Sequence, residues 1–80
     1  MKKRYAIAIE KGPRNYSAYV LDVDGCVATG PTPEETTRRL RDALQAHLDW
    51  MARDGDPIPE PSTFTDYAEV EVPTPAVAAG

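Results

Sequence analysis

Thiol chemistry is nearly absent from this chain. Cys26 is its sole cysteine, which excludes an intrachain disulfide and a thiol-rich zinc site. Long apolar runs are missing as well. Behind the basic Met1-Lys2-Lys3-Arg4 only residues 5–9 are apolar, too few for a signal-peptide core or a membrane span, so a cytoplasmic setting is expected. There is no basic excess: 9 Lys and Arg against 13 Asp and Glu leave a net charge of −4. Phosphate binding draws on concentrated Lys and Arg, so nucleic acid is not expected as the main partner. An acidic domain suits a basic protein partner, although mild acidity also simply aids solubility. At 80 residues there is room for one domain, which buries only about 60–65% of the surface of its unfolded form. Small domains often gain stability from disulfides, metal or oligomerisation, and here the third is the expected route.

The pattern along the chain predicts alternating strands and then a helix. Tyr5-Ala6-Ile7-Ala8-Ile9 puts Tyr5, Ile7 and Ile9 on one face and the alanines on the other, a strand whose alanine face is expected beneath a helix. Gly12, Pro13 and Asn15 break the pattern over hairpin length. Residues 16–23 read as a second strand and 26–29 as a short third, joined through Asp24-Gly25, a dipeptide suited to a tight turn. Thr32-Pro33-Glu34-Glu35 reads as a helix start, with Thr32 as cap, Pro33 in the first helical position and Glu35 completing a capping box. Leu40, Ala43, Leu44, Leu48 and Met51 follow at helical spacing, bordered by His47, and Gly55 ends the run. The prolines at 57, 59 and 61 predict an extended connector, and residues 67–72 alternate again as a final strand. The expected architecture is α+β in the order βββαβ, an antiparallel sheet with one helix on one face. Its domain spans residues 1–72, with a flexible tail over 73–80.

This layout resembles the HicB-like antitoxin family. Asp22, Gly25 and Cys26 match a Pro-Asp-Leu-Pro-Gly-Cys type turn. Gly30, Thr32, Glu34 and Glu35 match a Gly-Asp-Thr-x-Glu-Glu-Ala helix start, and Ile58, Pro59 and Pro61 match an Ile-Pro-x-Pro segment. Leu21 and Asp24 stand in place of the two prolines of the turn, Pro31 in place of the Asp, and Thr36 in place of the Ala. The resemblance implies a degenerate RNase H-like fold. It implies a role as an antitoxin that neutralises a small basic, RNA-cleaving, HicA-like toxin by protein–protein contact. Many family members append a DNA-binding domain. No basic recognition helix is found here, so direct DNA binding by this chain is not expected.

Each chemical group has a plainer reading beside its functional one. Glu10, Asp22 and Asp24 near strand ends would have to converge to hold Mg²⁺ in a nuclease, but turn shaping and backbone capping account for the two aspartates. His47 is the sole histidine, with no nucleophile placed beside it, and reads as a half-buried helix residue. Cys26 reads as a small strand residue, and the Arg38, Arg39 and Arg41 patch as a face paired with nearby glutamates. Trp50 lies off the apolar stripe, either packed against Ile58 or Phe64 or free for a partner. The expectation is a non-enzymatic, cofactor-free and metal-free homo-oligomer, with Trp50, Asp66, Glu69 and Glu71 in partner binding. The alternatives are an orphan oligomeric module binding another protein and, further off, a metal-dependent nuclease.

Overall fold

The computed structural model describes residues 1–76. Three strands, β1 (Ile7–Lys11), β2 (Tyr16–Val20) and β3 (Val27–Gly30), form an antiparallel sheet in the order β1-β2-β3. One helix, α1 (Pro33–Arg53), follows and packs mainly on β3 and β2. This is the expected α+β arrangement, βββα. Gly25 closes the turn between β2 and β3 with a φ of 77°, a left-handed conformation that glycine adopts without a Cβ penalty.

Register sets the faces of the sheet. Ile7 opposes Val20, and Ile9, Ala18 and Ala28 lie in one row. Ala18 and Val20 are buried beneath the helix, so the isoleucines share the helix side and Ala8 points to the other. This reverses the expected alanine face. The core needs large apolar groups under the helix, and β1 sits at the sheet margin, where close approach is not required.

The helix begins and ends where its caps predict. Thr32 accepts a hydrogen bond from the Glu35 N–H at 3.1 Å, and Pro33 occupies the first turn. The reciprocal half of the capping box is not made, because the Glu35 carboxylate bonds Arg38 and Arg39 instead. At the other end Gly55 (φ 75°) donates to Ala52 O and Asp56 to Met51 O, the paired bonds of a Schellman motif. Gly30 lets α1 sit close to β3: a Cβ there would lie 2.7 Å from Thr36 Oγ1 and 3.0 Å from Thr36 N.

The core is small: Ala18, Val20, Val23, Cys26 and Leu40, with Tyr5, Ile7, Ala28 and Leu44 packed at its margin. Of the predicted stripe only Leu40 is fully buried. Leu44, Leu48 and Met51 are half-buried and Ala43 is exposed. A helix of 21 residues runs about 32 Å at 1.5 Å per residue, whereas strands of five residues span about 17 Å. The second half of α1 therefore outruns the sheet.

The predicted final strand does not form within this chain. Residues 67–72 carry no strand pairing, and every one of them is exposed. Strand structure needs a neighbouring ladder to satisfy its N–H and C=O groups, and this segment has none beside it. Part of the expected 73–80 tail, residues 77–80, lies outside the described residues.

Candidate functional site

Of the carboxylates considered for catalysis, Asp22 is employed in holding the fold. Asp22 follows β2 and accepts four hydrogen bonds from residues 40 and 41 positions later: Ser62 N–H at 2.9 Å, Thr63 N–H at 2.8 Å, and the hydroxyls of Ser62 at 3.3 Å and Thr63 at 2.7 Å. These bonds, the Thr63 hydroxyl foremost, favour the ionised form and lower its pKa below the ordinary aspartate value. Glu10 and Asp24 are exposed. Among the described residues no group of three or more His, Cys, Asp or Glu is arranged to hold a metal ion. Cys26 is 5% exposed, and burial pushes its thiol pKa up, which disfavours the reactive thiolate. His47 is half-buried on the helix.

Two arginines of the patch, Arg38 and Arg39, are paired with acidic neighbours on the helix, whereas Arg41 is in no ion pair among the described residues. Glu35 takes both Arg38 and Arg39, Arg38 also reaches Asp42 at 3.1 Å, and Glu34 is in no ion pair among the described residues. Hydrogen bonds from Arg38 and then Arg39 pull the Glu35 carboxyl down to about 2. Arg39 also donates to Thr29 O at 3.0 Å, tying the helix start to the outer edge of β3.

Trp50 is 65% exposed and Phe64 90% exposed, so the packing of one against the other is not seen. Asp66, Glu69 and Glu71 are exposed on the segment beyond Thr63, apart from Trp50 on α1. No hydrogen bond or ion pair among the described residues joins the four.

Two surfaces escaped the sequence reading. The first is a groove between α1 and the segment that leads into β1, a cavity of about 570 Å³ lined by Tyr5, Leu44, Leu48 and Ile58 and rimmed by Lys2, Lys3 and Arg41. It opens because α1 leans toward β3 and leaves β1 uncovered on the helix side. Tyr5 Oη donates to Pro59 O at 2.7 Å and Lys3 pairs with Glu60, which fastens Pro59 and Glu60 beside the groove. The second is a row on the open face of the sheet, Ala8-Tyr19-Val27, in which Tyr19 is 39% and Val27 66% exposed. Alternation on β1 and β2 was the available signal, but the tilt of the helix is not encoded in period. No helix among the described residues is long and apolar enough to cross a membrane. The described surface thus carries two apolar areas, one beside α1 and one on the open face of the sheet.

The family described as the HicB-like antitoxin of bacterial toxin–antitoxin systems matches residues 5–74. The chain is also 32% identical over 63 residues to an uncharacterised 14.9 kDa protein in the rep-hol intergenic region of Haemophilus phage HP1 (strain HP1c1). The match covers 79% of this chain and 47% of the phage protein, so the chain spans about half the length of this curated relative.

Proposed function

Because this chain belongs to the HicB-like antitoxin family, we propose that it neutralises a small basic, RNA-cleaving, HicA-like toxin by protein–protein contact, acting as a non-catalytic homo-oligomer in the cytoplasm. The observation that carries the reading is the extent of the family match, which runs from the start of the sheet through the helix to the exposed acidic segment. The non-catalytic part is supported by Asp22, which is committed to Ser62 and Thr63, and by the burial of the Cys26 thiol. Trp50 offers a large exposed aromatic of the kind that anchors interfaces. Asp66, Glu69 and Glu71 offer acidic charge to a basic partner.

The test is co-expression with a small basic ribonuclease toxin encoded beside it, scoring growth and co-purification. Rescue of growth with a stable complex is expected. A well-folded chain that neither rescues nor co-purifies overturns the reading in favour of an orphan module with another protein partner. Magnesium-dependent RNA cleavage lost on Asp22→Asn would point instead to a nuclease.

A further inference from the structure

Positive charge is concentrated around the groove beside α1, in a chain that is acidic as a whole. The net charge is −4, yet Lys2, Lys3 and Arg41 stand at this one opening, where Glu60 pairs with Lys3. Arg41 differs from the arginines before it on the helix. Arg38 and Arg39 are neutralised by Glu35 and Asp42. The positions one turn either side of Arg41 hold Thr37, Arg38, Leu44 and Gln45, so the helix offers it no acid at that spacing. Among the described residues neither Arg41 nor Lys2 is in an ion pair. A planar guanidinium without a carboxylate is a two-pronged receptor for one.

Beneath the cations the surface is apolar. Tyr5, Leu44, Leu48 and Ile58 are each half-buried and form a common floor. A smaller cavity of about 230 Å³ adjoins it, sharing Lys3, Tyr5, Arg41 and Leu44 and reaching Leu40. The two make one trough along α1 from Leu40 to Leu48, about 12 Å at 1.5 Å per residue. The main part, about 570 Å³, falls within the roughly 300–1,000 Å³ of small-molecule sites. Its wall is held in place. Tyr5 bonds Pro59 O, and Asp22 takes the Ser62 and Thr63 N–H groups, which fixes the segment carrying Ile58. Four apolar side chains fall well short of the about 20–30 residues a side that a stable protein interface uses. They match a single aliphatic tail instead.

We propose that this trough binds a small anionic amphiphile, a free carboxylate with a linear apolar tail. The head group meets Arg41, with Lys2 and Lys3 on the same rim, and the tail lies over Leu44, Leu48 and Ile58. A basic rim repels a basic protein, so the site is separate from the toxin contact proposed above.

The experiment follows the NMR signals of the full chain, without toxin, as sodium octanoate, sodium decanoate or decyltrimethylammonium is added below its micelle-forming concentration. Decanoate is expected to shift the Leu44, Leu48 and Ile58 methyls saturably. Val27, exposed on the other face of the sheet, should not respond. Decanoate should bind more tightly than octanoate by up to about 16-fold, about fourfold for each of two buried methylenes. Arg41→Glu should weaken decanoate about 10- to 100-fold, the effect of losing a charge-assisted bond. Its circular dichroism should be unchanged because Arg41 is exposed. The same variant should favour decyltrimethylammonium over decanoate, the reverse of wild type. Equal binding of both head groups to wild type, shifts at Val27 as large as those at Leu48, or indifference to Arg41→Glu would each overturn the proposal. So would binding to phosphatidylglycerol vesicles without binding of free decanoate. A decanoate-silent groove in a chain whose mass by light scattering rises with concentration would assign the groove to a second copy and equally overturn it.

Discussion

Asp22 joins two segments 40 residues apart, and its carboxylate is the acceptor for the whole clasp. Its lowered pKa fixes the sign of the pH dependence. The ionised form is favoured by folding, so the contribution is complete above the ordinary value of 3.8 and is lost as pH falls through the lowered folded value. Glu35 behaves likewise between 4.5 and about 2. Thermal midpoints of wild type, Asp22→Asn and Glu35→Gln should therefore differ at pH 7 and converge toward pH 2, which calorimetry across that range would show. Gly30 supplies a second residue-scale expectation. The backbone of Thr36 lies at 3.0–3.1 Å from any Cβ placed at position 30, so Gly30→Ala should cost about 1–3 kcal/mol in urea unfolding. Thr36→Ala in the same background should relieve only part of it, because only the 2.7 Å contact to Oγ1 disappears. The turn role of Asp22 was legible from its place beside Asp24-Gly25. Its partners were not, since Ser62 and Thr63 sit in an aperiodic polar stretch.

Elements whose signals are local were read correctly from sequence. The helix runs Pro33–Arg53 as its proline, threonine cap and terminal glycine require. The three strands appear in order, each shifted or shortened by a few residues, because pairing rather than propensity decides where a strand stops. The final strand was legible as a pattern but not as a structure: its alternation is present, and no strand pairs with it among the described residues. Burial along the helix follows from relative length. Leu40 sits over the sheet and Leu48 beyond it, so Leu40→Ala should cost about 2–5 kcal/mol and Leu48→Ala clearly less, measured by chemical denaturation of the two variants. An equal cost at both positions would mean that the helix is covered along its full length in solution.

At the scale of the whole molecule, a core of five buried apolar residues is small for a chain of 80, and the surfaces left open are those that association would cover. The groove carries the basic Lys2, Lys3 and Arg41 at its rim, while Asp66, Glu69 and Glu71 are exposed on the segment beyond Thr63 and Trp50 is exposed on α1. The groove was hidden because it depends on where the helix leans. If the partner is basic and the acids lie at the rim, charge reversal at Glu69 and Glu71 should slow association and weaken its salt dependence, while Trp50→Ala should hasten dissociation. Surface plasmon resonance at two salt concentrations separates these effects. The most direct measurement titrates this chain into an RNA-cleavage assay of the toxin encoded beside it. The account expects cleavage to fall to background near equimolar chain and the RNA to stay intact with the chain alone. Full toxin activity in the presence of excess folded chain would contradict it.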